Sequence, residues 1–413
     1  MEKTKKTLSD FLNVIVFDIF SKAFSVLTTF FLIRILSTEN YSLYAKFSSI
    51  SSLLFGILGS GICLSFVRFF VYKKSENNSN CNYLYYSSFS IISALFLLSI
   101  GFIPLFSVAY KAPTFTIFLA LLYGMVLSYN QLFQSYFQAN NLYFKSGIVS
   151  LLKTLVIFLF VLLLGVILKI SNLDLILFCV ILVTIASYFL SRLLFRKHFS
   201  IERRIRPDVL KEMLLECFWL ILYRLILTSF EQMDVFMITL KMDDYSLSCY
   251  SVAYKYYSLL LTLLSSIQAV LRVKTSHNEI VKSISLQKKV TKKWIMISLP
   301  ISICVVAIGF FVSPFLIPFL NSNKYPESIT VFRILLIGCG LSYVTAPNMG
   351  VMMATGKHKL LCFIATISLV TNIIGNHFLI PIYGINGAAF ITILSQFILN
   401  FSVTCYILFR KEK

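Results

Sequence analysis

The sequence is poor in charge. Of its 413 residues, 13% are Asp, Glu, Lys or Arg, about half the share found in an ordinary soluble domain. With 58% hydrophobic residues and a mean hydropathy of +0.84, the apolar side chains outnumber what a core can hold, so most must face an apolar solvent. A soluble globule is excluded. The four histidines, at 198, 277, 358 and 377, lie too far apart for metal-ligand spacing. The nine cysteines (63, 81, 179, 217, 249, 304, 339, 362 and 405) are odd in number and mostly inside apolar runs, and none form a Cys-x-x-Cys. They read as small core hydrophobes. No P-loop, nucleophile elbow or metal motif is present, and no cofactor is expected beyond a coupling H⁺ or Na⁺.

What the chain does have is long apolar runs. A spanning helix needs about 20 such residues, and twelve runs can be drawn, at 11–33, 45–67, 83–106, 115–137, 147–168, 175–195, 214–240, 249–271, 294–320, 329–353, 360–380 and 386–409. The first is too long, and lacks the small-residue cleavage pattern, for a signal peptide, so it is expected to persist as the first helix. Connections between runs are short and leave no room for a soluble domain. The expected fold is an all-α integral membrane protein of two parallel six-helix bundles, residues 1–200 and 201–413, divided near the basic stretch Arg196 to Arg206.

Basic residues exceed acidic ones, 37 to 17. With the amino terminus inside, 26 cations outside the runs or near their ends fall on one side of the membrane and six on the other, which by the positive-inside rule predicts cytoplasmic termini. The net charge of +20 therefore reads as topology and not as nucleic-acid binding, with attraction to anionic inner-leaflet lipid as a secondary effect. The halves also echo one another. Leu36 to Leu43 aligns with Leu240 to Leu247 at an offset of 204, which sets Arg68 opposite Arg272 and suggests parallel repeats with substrate bound between bundles.

Four stretches carry a family resemblance: Leu32 to Tyr41 (LIRILSTENY), Asp234 to Ile238 running to Tyr250 to Tyr254, Ala354-Thr-Gly-Lys357, and Asn376 to Ala389 (NHFLIPIYGINGAA). The last has a physical sense, since Pro381 ends a helix, Gly384 allows a turn and Gly387-Ala-Ala lets the final helix pack closely. In these residues the chain resembles the O-antigen and polysaccharide lipid flippases (Wzx type) of the superfamily that includes the multidrug and toxin extrusion (MATE) exporters. It departs from their pattern at Asn40 and around Asn323, where glycines are usual. The resemblance implies a transporter of the bacterial cytoplasmic membrane that moves undecaprenyl-diphosphate-linked oligosaccharide from the inner to the outer leaflet by ion-coupled alternating access, for O-antigen, capsule or exopolysaccharide. Membrane lipids, a polysaccharide polymerase and a chain-length regulator would be its partners.

Ionisable residues inside the runs are the candidate site. A charged side chain at mid-helix costs about 2.5 to 3.5 kcal/mol on insertion scales, so such groups usually face a bundle interior or a wet cavity. Lys22 and Arg224 are central in their runs, whereas Lys255, Lys153 and Arg333 lie only a few residues from a predicted end, where snorkelling explains them at least as well. Asp18 and Lys22 share a face at i, i+4, as do Arg224 and Glu231 at i, i+7, with Asp234 one turn beyond. A cavity lined by Lys22, Arg224 and Lys255 would hold a diphosphate, and Asp18, Glu231 and Asp234 would carry a coupling ion. On one helix Asn130, Gln134, Gln138 and Asn141 repeat with Gln131 beside them; pairing between helices is favoured, with hydrogen bonding to sugar hydroxyls by Asn130 and Gln134 as the alternative. Tyr250, Tyr254, Tyr256 and Tyr257 read as an interfacial belt rather than a stacking platform.

Two other functions compete. A small-cation exporter would want an acidic cavity without Lys22 and Arg224. A multispanning polymerase or glycosyltransferase would want a large outer loop or a catalytic carboxylate pair, for which Asp243-Asp244 is the only candidate, and a solvated turn is the better reading of it.

Overall fold

A computed structural model describes residues 2–77, 81–169, 172–199, 202, 204–275 and 283–410, with side chains described except at 2–15, 75–77, 166, 263 and 265–275. Arg203, His277, Lys282, Lys411 and Lys413 therefore lie outside the described residues, as does the Arg272 side chain. No strand occurs among the described residues. The helices are α1 (Glu2–Ile35), α2 (Thr38–Phe55), α3 (Ile62–Asn77), α4 (Tyr83–Ile100), α5 (Ile103–Tyr110), α6 (Thr114–Ala139), α7 (Tyr143–Leu162), α8 (Leu173–Leu194), α9 (Pro207–Glu216), α10 (Phe218–Lys241), α11 (Asp244–Thr275), α12 (Ile284–Asn321), α13 (Ser328–Val344), α14 (Ala346–Ala354) and α15 (His358–Phe409). The twelve apolar runs fall largely on these helices and on the π segments Gly56–Gly61 and Leu163–Ile167, with breaks at Gly101–Phe102, Cys217 and Thr345 inside three of them. Eight helices are long and apolar enough to span a bilayer, or ten when the bent pairs α9–α10 (62°) and α13–α14 (48°) each count as one span. In a bilayer this is the expected solution, since helices satisfy their own backbone groups.

The chain divides into two compact units, Met1–Thr228 and Ser229–Lys413. In the first, α1 runs along α7 in the same direction, with Phe17 against Phe144 (ring centroids 5.3 Å) and Phe24 against Phe158 (5.4 Å). Between α2 and α3 the helix passes through a π segment, Gly56–Gly61. A side chain on Gly56 would lie 2.3 Å from the Thr228 methyl, so only glycine lets α10 press its first turns against this segment. The stretch before α9 is strapped to the same unit. Phe199 inserts edge-on among Phe133, Tyr85 and Tyr136 at 4.9 to 5.0 Å, the Arg206 guanidinium stacks 4.5 Å from the Tyr83 ring centroid, and Lys73 pairs with Glu212 at 2.7 Å.

In the second unit the decisive break is Gly384. Its backbone (φ 58, ψ −141) interrupts α15 in a conformation that other residues adopt only at a cost. Contrary to the expectation from sequence, Pro381 does not end the helix; the turn comes three residues later. Beyond it Ala388 and Ala389 are fully buried. On α12, Phe311, Phe315 and Phe319 are 72 to 79% exposed, a lipid-facing surface.

The two echoing segments open their helices with similar caps, but not in the register that the spelling gives. Ser37 Oγ accepts the Asn40 N–H at the start of α2 (3.2 Å), and Asp243 Oδ1 accepts the Ser246 N–H at the start of α11 (3.3 Å). These caps are 206 residues apart, not 204. Burial follows the caps: Tyr41 is buried, Tyr245 is exposed, and Leu247 takes the buried place. The shared Tyr-Ser-Leu spelling therefore does not mark equivalent positions.

Candidate functional site

In the first unit, Lys22 lies well inside α1 and forms the expected ion pair with Asp18, both side chains remaining partly exposed (19% and 42%). Arg224 is placed differently from the sequence expectation. Because the chain bends between α9 and α10, the helix begins at Phe218 and Arg224 stands six residues in, roughly 9 Å from that end. Its Nε donates to Ser60 Oγ in the π segment at 3.4 Å. No carboxylate pairs with it among the described residues, so the shared face with Glu231 does not become a contact.

Lys153 lies deeper than the edge of its apolar run suggested. The helix α7 begins at Tyr143, ten residues earlier, or about 15 Å along the axis. Lys153 falls in the stripe of Ser146, Val149, Ile157 and Val161, all buried, so it faces the bundle rather than lipid, and no acceptor pairs with it among the described residues. Opposite this stripe is the amide face of α6. Gln138 Nε2 donates to Ser146 Oγ at 3.2 Å, as pairing between helices predicts. One and two turns further along α6, Gln134 and Gln131 occupy the same face and are half-buried. Asn130 turns away: its Nδ2 donates to its own helix at Val126 O (3.0 Å) and its Oδ1 is buried with no donor. Asn141 sits in the turn after α6 and receives the Tyr143 hydroxyl (3.2 Å).

In the second unit, Asp234 is the centre of a closed polar cage. Asn376 Nδ2 donates to its Oδ1 at 2.7 Å and Asn372 Nδ2 to the same oxygen at 3.1 Å. The hydroxyls of Tyr250 and Thr392 donate to Oδ2. The turn at Gly384 builds this arrangement, since it folds α15 back so that Asn376 and Thr392, eight residues before and after it, come level with one another. Asp234, Asn372 and Asn376 are at most 2% exposed, and no cation pairs with the carboxylate among the described residues. Asn376 Oδ1 is buried without a donor. If the two amides turned, the cage would offer only oxygen ligands, the set that suits a hard cation. Glu231, one turn earlier, is exposed and is not part of the cage.

Lys255 is half-buried and, because α11 starts at Asp244, lies eleven residues into the helix, about 16 Å. The neighbouring tyrosines do not form an interfacial belt. Tyr250, Tyr256 and Tyr257 are buried; Tyr257 donates to Gln396 Oε1 at 2.9 Å and Tyr256 to Asn321, and Tyr254 stacks on Tyr250 (6.2 Å). Tyr hydroxyls buried in an apolar bundle need such partners. Sequence reasoning missed Asn372, Asn376 and Thr392. Asn372 and Asn376, four apart in an apolar run, were the available signal.

A family model of polysaccharide biosynthesis proteins matches residues 8–271. The chain belongs to that family. The capsular polysaccharide biosynthesis protein CapF of Staphylococcus aureus is 31% identical over 112 residues, a match that spans 27% of this chain and 28% of CapF. Among solved structures, an inward-facing multidrug resistance MATE family transporter of the MOP superfamily superposes with a TM-score of 0.74 at 12% identity, covering 94% of each chain. The lipid II flippase MurJ, in an inward closed conformation, gives 0.72 at 18% identity, with 96% of this chain and 86% of that one covered. An outward-facing multidrug resistance MATE family transporter gives 0.68 at 12% identity, covering 97% and 95%. At these identities the likeness is one of fold: an all-α, multi-pass membrane architecture.

Proposed function

We propose that this protein is a flippase that carries an undecaprenyl-diphosphate-linked oligosaccharide from the inner to the outer leaflet of the bacterial cytoplasmic membrane, for O-antigen, capsule or exopolysaccharide assembly. The observation that carries the reading is the excess of cations inside the first unit. Among the described residues Arg224 meets only a serine hydroxyl and Lys153 meets no carboxylate, and Lys22 keeps part of its surface beside Asp18. Unneutralised cations at such depth are expensive unless an anion visits them, and a diphosphate supplies two or more charges. Membership of the polysaccharide biosynthesis family supports a glycan as the remainder of the cargo. Gln131 and Gln134 would offer amides to its hydroxyls; Asn130, bonded to its own helix, is the weaker candidate.

The Asp234 cage is our candidate for ion coupling. A carboxylate held by four donors can exchange that network for a proton or for Na⁺ ligated by Asp234, Asn372, Asn376 and Thr392, which would link ion occupancy to the packing of α10, α11 and α15. Asp18 would report on Lys22 instead, being released from the pair only when Lys22 is engaged elsewhere. Both termini would be cytoplasmic, and a polymerase and chain-length regulator would take the product outside.

The enzyme alternative loses its one carboxylate pair, because Asp243 caps α11. An exporter of organic cations would be repelled by Lys22, Lys153 and Arg224. Translocation of lipid-linked glycan in proteoliposomes, with H⁺ and Na⁺ gradients imposed separately, tests the proposal. Uptake of an organic cation without glycan movement would overturn it.

A further inference from the structure

A furrow of about 500 Å³ runs along the outside of the second unit between α12 and α13. Its walls are apolar, with Ile303 (60%), Phe311 (72%) and Ile337 (54%) open to lipid. The helices touch at its floor through Gly340, whose carbonyl receives the Ser302 hydroxyl at 3.0 Å. One charged group borders it, Arg333, five residues from the start of α13.

The guanidinium is held in place by a defect in the opposite helix. Pro314 has no N–H to give to Phe310 O, four residues earlier. Arg333 Nε supplies the missing donor at 3.1 Å and also reaches Ser313 Oγ at 3.1 Å. Its Cζ lies 4.2 Å from the Phe310 ring centroid. Both contacts of the guanidinium nitrogens use Nε. The two terminal nitrogens have no acceptor, and no carboxylate pairs with Arg333, among the described residues.

We infer that this furrow binds an anionic phospholipid, with one acyl chain in the groove and the phosphate on the terminal nitrogens of Arg333. A planar fork stacked on an aromatic ring and lacking an acceptor is suited to bidentate phosphate contact. Length selects the occupant. From Arg333 to Val344 the furrow follows eleven residues of helix, about 16 Å, and the hydrocarbon of one leaflet is about 15 Å deep, half of the ~30 Å core. A single-leaflet acyl chain fills that span, whereas a polyprenyl chain would overrun it. Net negative charge on the headgroup is favoured because no carboxylate among the described residues neutralises the arginine. The inference does not depend on what the protein transports.

Native mass spectrometry of the purified full-length protein, with phosphatidylglycerol or phosphatidylethanolamine added at equal concentration, tests it. Wild type should retain phosphatidylglycerol preferentially, and Arg333→Gln should lower that preference about fivefold while Arg333→Lys keeps part of it. Ala307→Trp, which narrows the groove without touching the guanidinium, should reduce retention of both lipids. Equal phosphatidylglycerol retention by wild type, Arg333→Gln and Ala307→Trp would overturn the site. Displacement of phosphatidylglycerol from wild type by undecaprenyl phosphate would overturn the choice of occupant.

Discussion

Asn376 and Thr392 donate to opposite oxygens of one carboxylate, that of Asp234, from positions equidistant from the turn at Gly384. A helical hairpin thus closes on a single acidic side chain borne by α10, and the donors come from segments far apart in sequence.

Removing the charge while keeping the shape should separate folding from transport. Asp234→Asn is expected to lower ion-driven glycan transport on the order of tenfold or more, with the thermal midpoint in detergent changed by only a few degrees. Thr392→Val, which deletes one hydrogen bond to a charged group worth about 1.5 to 3 kcal/mol, should lower both. Full ion-driven transport in Asp234→Asn would remove the cage from the coupling mechanism.

Arg224→Ala and Lys22→Ala should each abolish surface polysaccharide in cells while leaving the protein inserted at wild-type levels on immunoblots. Arg224→Lys should restore part of the display, because charge is kept and the fork is lost. Normal glycan display in both alanine variants would end the diphosphate role of these residues.

Lys153→Met keeps an unbranched stem and deletes an amine that has no partner in the described structure. Stability should hold or rise, since a half-buried charge with no partner among the described residues is removed, whereas the glycan concentration giving half-maximal transport should rise several-fold. A fall in stability with unchanged transport would make Lys153 a structural residue.

Gly384→Ala should be costlier than Gly356→Ala. The first position, at φ 58 and ψ −141, is one that residues with a side chain occupy at about 1 to 3 kcal/mol; the second, at φ 71 with open space around it, costs about 1 to 2 kcal/mol. Only the Gly384 variant should also lose Asp234-dependent transport, measured as the ratio of activity with and without the ion gradient.

Topology has its own check. Alkaline phosphatase fused after Lys241 should be active and after Arg204 inactive. The opposite pattern would invert the orientation of the chain.

Much of the architecture was legible because a bilayer demands continuous apolar helices, and the twelve runs of the necessary length fall largely on helices. Depth was read less well. The polar first turns of α7 and α11 belong to the helix but not to the apolar run, so Lys153 and Lys255 lie deeper than a hydropathy edge suggests. Lys46, counted with the outer-side cations although it is the second residue of its run, lies inside α2 at 3% exposure, with Nζ donating to Lys111 O at 3.4 Å. Arg224 errs the other way, because a bend at the start of α10 shortens the straight helix around it. Of the site itself, Asp234 and the Asp18–Lys22 pair could be found by helical spacing. The cage donors could not, because they depend on how distant helices pack and on where α15 turns.

The strap around Phe199 bears on how this protein could be divided for study. Phe199, Arg206 and Glu212 are tied to the amino-terminal unit by an aromatic wedge, a stacked guanidinium and an ion pair, so these three anchors belong with that unit. Two-gene coexpression should split the reading frame beyond Glu216. A scission near position 200 would leave an unfilled aromatic hollow on one fragment and an orphaned basic tail on the other, both targets for cellular quality control.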